Sequence, residues 1–136
     1  LLHSVVETFT LNDEQMRAFF ICARHLHHHQ RDALRMYLGG MAGTGKSRVL
    51  LAIMAFLVAR DETHRFMVLG PTGSAAALIG GSTYHSVLGF GFDKQGKLSR
   101  SALERIRERF AHVDLIFIDE VSMLSCTDLE RICAAL

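Results

Sequence analysis

The sequence predicts an α/β fold in which a parallel sheet carries helices on both faces. Three observations predict it. Strand-like apolar runs alternate with stretches of helical periodicity. A glycine-rich turn over residues 40–47 sits between one such run and one such stretch. The wholly apolar segment Leu115–Ile118 ends on Asp119-Glu120. Alternation of this kind suits a doubly wound sheet, because each parallel crossover returns over a face of the sheet as a helix.

Asn12 and Gln15 have the spacing of a capping box, with Leu11 and Met16 placed as its hydrophobic staple. A helix is therefore expected to start near Asp13 and run to about His29. Residues 34–38 read as a short strand ending at Gly39-Gly40. Residues 46–60 read as a helix with Val49, Leu50, Ile53, Phe56 and Leu57 along one stripe. A strand over 65–69 follows, closed by Gly70-Pro71, and a short helix over 74–79 ends at Gly80-Gly81. Residues 89–96 form a glycine-bearing loop. Ser101 and Glu104 repeat the capping-box spacing and open a helix with Leu103, Ile106 and Phe110 on one side. Leu115–Ile118 has the unbroken apolar character of a strand covered on both faces. A last helix begins near Thr127 and is still running at Leu136.

Three strands leave both edges of a sheet unpaired and much apolar surface uncovered. With no cap on the last helix, the expectation is an incomplete domain belonging to a longer protein.

At 136 residues the chain is long enough to bury one core. Its 49% apolar and 21% charged residues place it among folded proteins rather than disordered ones. A formal net charge of +1 excludes a global field drawing it onto nucleic acid or an anionic membrane, so DNA binding must rest on local groups. The apolar run over 49–59 is too short to span a bilayer, and no export signal opens the chain.

The odd set Cys22, Cys126 and Cys133 suggests free thiols in a reducing compartment. Cys126 and Cys133, seven apart, are expected to share a packed apolar helix face rather than bind zinc, which takes four ligands. His27, His28 and His29, beside His25, point in different directions on a helix and are expected at a solvated helix end. Arg105, Arg107 and Arg109 alternate with Glu104, Ile106 and Glu108, as on a solvated, salt-bridged face. Met54, Met67 and Met123 are expected to fill the core.

Gly40-Met41-Ala42-Gly43-Thr44-Gly45-Lys46-Ser47 satisfies the phosphate-loop pattern, with a predicted strand before it and a helix after it. Glycines let successive backbone N–H groups turn inward on phosphate oxygens, and the positive end of the following helix points the same way. Lys46 then reaches the β- and γ-phosphates, and the Ser47 hydroxyl ligates magnesium. Asp119 and Glu120 follow an apolar strand, at the sheet edge where ligands of open α/β sheets gather. There Asp119 can hold the magnesium and Glu120 can orient or deprotonate the attacking water. Together the two motifs read as a nucleoside triphosphate hydrolysis site.

Four segments in order resemble the Pif1-type branch of superfamily 1 helicases, related to RecD-type enzymes. Phe9-Thr10-Leu11-Asn12-Asp13-Glu14-Gln15 resembles that family's adenine-recognising Q motif, with Gln15 as the base-pairing residue. Gly43-Thr44-Gly45-Lys46-Ser47 is similar to its phosphate loop. Pro71-Thr72-Gly73-Ser74-Ala75-Ala76, then Gly81-Ser82-Thr83-Tyr84-His85-Ser86, resembles its single-strand DNA contacts, and Ile118-Asp119-Glu120-Val121-Ser122-Met123 its Walker B motif.

The resemblance implies a P-loop NTPase (RecA-like) fold, with residues 1–136 as the N-terminal portion of the first RecA-like domain. It implies ATP and Mg2+ as cofactors and single-stranded DNA as partner, contacted by Thr72, Gly73, Thr83, His85 and Ser86. It further implies 5′-to-3′ DNA helicase activity with roles in repair, recombination or telomere maintenance. Nuclear placement follows by the same route, with mitochondrial targeting upstream of Leu1 as the alternative. Tyr84 stands where the family more often has an aliphatic residue. The family's sensing glutamine, its transition-state arginine and its second RecA-like domain are expected beyond Leu136. An arginine of that kind is worth about 10³–10⁵ in rate, so the chain alone is expected to bind nucleotide without turnover.

Two other readings remain. One is a nucleotide-binding module or degenerate relative without turnover. The other is a small-molecule P-loop kinase, in which residues 83–86 have no task.

Overall fold

The computed structural model describes residues 1–28, 33–41, 43–71, 81–88 and 100–135, with backbone only for His28, His85, Leu88, Ala102, Arg131 and Ala135. The chain divides into two compact units, Leu1–Thr63 and His64–Leu136. Among the described residues no helix is long and apolar enough to cross a membrane.

The first unit is helical: α1 (Leu2–Thr8), α2 (Asp13–His28) and α3 (Lys46–Val58). The capping box forms as the spacing predicts. Asn12 N donates to Gln15 Oε1 at 3.0 Å, and Gln15 N donates to Asn12 Oδ1 at 2.9 Å. Asp13 and Glu14 lie in the first turn, where the helix dipole favours negative charge. Phe19, Cys22, Ala23 and Leu26 are buried at i, i+3, i+4 and i+7 of α2. Val49, Leu50, Ile53, Phe56 and Leu57 form the buried stripe of α3, and α2 packs along that helix. Phe19 meets Phe56 edge to face, with ring centroids 6.1 Å apart.

One boundary and one element in this unit differ from the sequence expectation. Helix α3 stops at Val58 rather than at residue 60. Arg60 N and Asp61 N turn back to Leu57 O and Val58 O, and Asp61 adopts φ +57°, which ends the helix. Arg60 lies 5.3 Å over the Phe56 ring and makes two hydrogen bonds to Glu62, which hold its guanidinium above its usual pKa. Residues 33–41 form no strand. A strand exists only through a paired neighbour, and the described ladders all belong to the second unit.

The second unit is built on a parallel sheet of order β2-β1-β3: β1 is Phe66–Gly70, β2 Ser82–Thr83 and β3 Leu115–Ile118. Phe66 registers with Leu115 and Leu69 with Ile118, while Leu69 registers with Ser82 on the other side. Arg65 and Asp114 form an ion pair just ahead of the Phe66–Leu115 pairing, and Asp114 N donates to Arg65 O at 2.8 Å. The Arg65 side chain is only 8% exposed. A Cβ on Gly81 would meet Val68 O at 2.6 Å, so a residue without one lets the chain enter β2 against β1.

Helices α4 (Tyr84–Leu88), α5 (Arg100–Phe110) and α6 (Cys126–Ala135) complete the unit. Leu69, Tyr84, Val87, Ile106 and Ile132 form its buried cluster, with Met67, Phe110, Ile116 and Ile118 packed against it. Met67 and Leu69, like Ile116 and Ile118, are two apart and share one sheet face. All four residues of β3 are half-buried, whereas the unbroken apolar run predicted cover on both faces. Helix α5 opens at Arg100, so Ser101 lies inside it rather than capping it, and Arg100 pairs with Glu104 at 3.4 Å.

Cys126 and Cys133 are both exposed, which overturns the shared packed face; α6 turns Ile132 inward instead. A spacing of seven puts residues on one side of a helix without saying which side faces the core. Met123 is likewise 61% exposed, while Met67 does pack on the core cluster. His27 is exposed, and among the described residues no group of His, Cys, Asp or Glu is placed to hold a metal. The expected helix over 74–79, the loop over 89–96 and the end of the last helix at Leu136 lie outside the described residues.

Candidate nucleotide site and acidic pair

The phosphate loop belongs to the first unit. Gly45 takes φ +84° immediately before α3, a left-handed conformation that costs other residues strain. A Cβ there would also collide with Gln15 Nε2. Lys46 Nζ folds over the start of the loop, donating to Gly40 O at 2.9 Å and to Met41 O at 3.0 Å. An ammonium has three donors, so one remains for an incoming oxygen. Thr44 Oγ1 donates to Met41 O at 2.8 Å, and Ser47 is exposed at the first turn of α3. A Cβ on Gly43 would meet nothing within 4 Å, so the loop opens onto free space at that point. A left-handed turn leading into a helix, a lysine folded over it and an exposed hydroxyl fit a phosphate chain with its divalent cation. Ala42 lies outside the described residues.

Gln15 sits against this loop. Its Nε2 donates to Thr44 O at 3.1 Å and Gly45 O at 3.4 Å, while its Oε1 accepts from Asn12 N. The residue singled out for base recognition is thus also a helix cap and a loop brace. Arg48, which sequence reasoning passed over, joins it here. Its Nη1 donates to Thr10 Oγ1 at 3.2 Å, and Thr10, within the segment 9–15 quoted above, takes φ +45°. The signal for Arg48 was a cation directly after the Lys46-Ser47 pair.

The acidic pair belongs to the second unit. Asp119 N donates to Leu69 O at 2.8 Å, carrying the β3–β1 ladder one residue past the strand. Asp119 Oδ1 accepts from Glu120 N at 3.0 Å, and Glu120 takes φ +51°, ψ +45°. A bulky residue in that region is strained, and such strain concentrates at functional positions. Glu120 is exposed. The chemistry available is that of a fixed carboxylate beside a solvent-facing one.

In the same unit Thr83 caps α4. Ser86 N donates to Thr83 Oγ1 at 3.1 Å, and Ser86 Oγ donates to Thr83 O at 3.0 Å. Tyr84 is buried in the core cluster. Arg109 Nη1 donates to Ser86 O at 2.9 Å and to Val87 O at 3.3 Å, so it anchors α4 rather than pairing along its own helix. No sequence signal marked it, because the partners are backbone atoms about twenty residues away. Thr72, Gly73 and the His85 side chain lie outside the described residues.

Comparison with known proteins places the chain in a family. The AAA domain family matches residues 27–136. The ATP-dependent DNA helicase PIF4 of Trypanosoma brucei brucei is 34% identical over 133 residues, covering 93% of this chain and 15% of its own length. The ATP-dependent DNA helicase Pif1 of Bdellovibrio bacteriovorus is 34% identical over 98 residues, covering 69% of this chain and 21% of its own. The Candida albicans helicase PIF1 is 33% identical over 136 residues, covering 90% and 15%. The chain therefore spans only about a fifth or less of the length of these curated relatives. No solved structure matches it. A phosphate loop with its lysine in place and an acidic pair closing a parallel strand accompany that match: the chain belongs to the AAA domain family, and its curated relatives are Pif1-type helicases.

Proposed function

We infer that this chain is the nucleotide-gripping part of an ATP-dependent 5′-to-3′ DNA helicase of the Pif1 type. The observation that carries the reading is Lys46 Nζ folded over Gly40 O and Met41 O, beside a loop braced by Gln15. Lys46, Gly43, Thr44 and Gly45 receive the phosphates, and Gln15 meets the adenine. Gln15 Oε1 keeps one acceptor position, while both Nε2 hydrogens go to Thr44 O and Gly45 O. Reading a base through Nε2 means exchanging the longer of these bonds, at 3.4 Å.

Ser47 in the first unit and Asp119 in the second each carry an oxygen of the kind that would hold magnesium, which would neutralise phosphate charge. Glu120 orients the attacking water, and its exposure leaves that water room. Thr83 and Ser86, with Thr72, Gly73 and His85, contact single-stranded DNA. Backbone and hydroxyl groups suit this role in a chain of net charge +1, since phosphate and sugar can be held without added cations. Repair, recombination or telomere work, nuclear or mitochondrial placement, and a helicase core continuing after Leu136 belong to the same reading.

The test is ATP binding and turnover by this chain, with and without single-stranded DNA, with Lys46→Ala as the blank. Magnesium-dependent ATP binding that disappears in the blank is the expected result. Tight ATP binding by Lys46→Ala would overturn the phosphate-loop assignment. In the longer protein, Glu120→Gln should stop turnover while sparing binding, and His85→Ala should weaken single-strand affinity. Unchanged values would remove those residues from their roles.

A further inference from the structure

The arginines of α5 differ in what they touch. Arg100 pairs with Glu104 within the helix. Arg109 leaves its own helix, its Nη1 donating to Ser86 O at 2.9 Å and Val87 O at 3.3 Å. Arg105 and Arg107 are exposed, as is Arg109. Among the described residues no carboxylate lies within ion-pair distance of these three.

Helical spacing sorts them. Arg105 and Arg109 are four apart and neighbours on one face, whereas Arg107, two from each, points to the other side. The face that carries Arg105 and Arg109 is turned to α4, because Arg109 reaches the carbonyls of that helix. Tyr84 and Val87 of α4 and Ile106 of α5 share one buried cluster, so packing fixes the two helices side by side. The carbonyls occupy Nη1, and the donors on Nε and Nη2 stay open. Two neutral oxygens orient this cation without neutralising it. A planar fork held in that way matches phosphate oxygens. Ser86, exposed and bonded to Thr83, lies directly beside it.

We propose that Arg105 and Arg109 form a phosphate-contacting edge for the single strand, next to Thr83 and Ser86. The proposal rests on the single-strand reading above and extends it. At a net charge of +1 the chain has no global field to draw in a polyanion. Two cations on one face supply the local charge that releases counterions from the strand.

Fluorescence anisotropy with a labelled oligothymidine, titrated at several salt concentrations, tests it on the chain and on Arg105→Ala, Arg107→Ala and Arg109→Ala. Each lost phosphate contact should lower the slope of log affinity against log salt by about 0.7, with roughly a threefold to tenfold loss of affinity at about 0.1 M salt. Arg105→Ala and Arg109→Ala should each show both effects. Arg107→Ala, which removes the same charge from the other side, should show neither. An affinity loss in Arg109→Ala with the slope unchanged would make Arg109 a support for α4 alone and overturn the proposal. An equal fall of slope in Arg107→Ala would reduce the effect to net charge and overturn it too. Among the described residues no atom of α4 bonds Arg105, so Arg105→Ala decides the matter should Arg109→Ala fail to fold. An unmodified chain with no affinity for the strand at low salt defeats the single-strand reading itself, whereas one that binds regardless of Arg105 and Arg109 defeats this inference alone.

Discussion

Gln15 Nε2 donates to Thr44 O at 3.1 Å, joining the first turn of α2 to the loop that leads into α3. The other end of the same amide accepts from Asn12 N. Helix initiation and loop shape are therefore coupled through one side chain, and a change at either end is felt at the other.

Gln15→Glu keeps the acceptor for Asn12 N and replaces the donor with a charged oxygen facing two carbonyls. It should cost about 1–3 kcal/mol of stability in urea unfolding, through unanswered carbonyls, and should weaken ATP binding. Unchanged ATP affinity would remove Gln15 from the support of the loop.

Gly45→Ala meets two obstacles, the left-handed φ of +84° and the Gln15 amide. Its expected cost is about 1–3 kcal/mol. Adding Gln15→Ala removes the collision and leaves the backbone strain, so the double variant should lose less than the sum of the singles. Strict additivity in a double-mutant cycle would show that the two residues do not press on one another.

Asp114→Ala takes one partner from the buried Arg65 guanidinium at the point where β1 and β3 begin to pair. The Asp114 side chain is 44% exposed, so water offsets part of the loss, and about 1–3 kcal/mol is expected from the unfolding midpoint. Asp114→Asn, which keeps an acceptor oxygen, should recover part of it.

The three thiols should differ in reactivity. Cys126 and Cys133 are exposed, while burial pushes the Cys22 thiol from 9.0 up to about 11. At pH 8 an aromatic disulfide reagent should label two thiols quickly and the third only on unfolding, since roughly a thousandth of Cys22 is thiolate. The raised value favours the folded state with the thiol protonated. That contribution is intact below pH 9 and fades as pH climbs to about 11, which unfolding at graded alkaline pH reads directly.

Glu120→Gly releases the strain of φ +51° and should raise stability by about 1 kcal/mol in thermal unfolding. Because it deletes the solvent-facing carboxylate proposed above to orient water, it should also abolish any ATP turnover that depends on Glu120. A stability loss would show that the Glu120 side chain supports its own turn.

The parts legible in the sequence were those governed by local periodicity or by short reciprocal bonds. The stripe from Val49 to Leu57 is buried as spaced, Asn12 and Gln15 exchange both capping bonds, and Leu115–Ile118 is the strand its composition announced. What escaped depended on partners distant in sequence. The segment 34–38 has the residues of a strand but no ladder, and Cys126, Met123 and Cys133 have apolar character yet are exposed. Within the site, the residue types of loop and acidic pair were plain. The bonds from Gln15 to the loop, from Arg48 to Thr10 and from Arg109 to the carbonyls of α4 were not, because each joins segments that no spacing rule connects.

β3 pairs with β1 along one side, and among the described residues nothing pairs along its other. Leu115, Ile116, Phe117 and Ile118 carry no charge and no proline, and all four are partly open to solvent. Such a rim is a template on which a second copy can add a strand, and then a third, toward cross-β deposits. Purified at high concentration, the isolated chain should therefore be lost to precipitation before it is lost to unfolding. A lysine in place of Phe117 would act as a gatekeeper and lengthen its working life in solution.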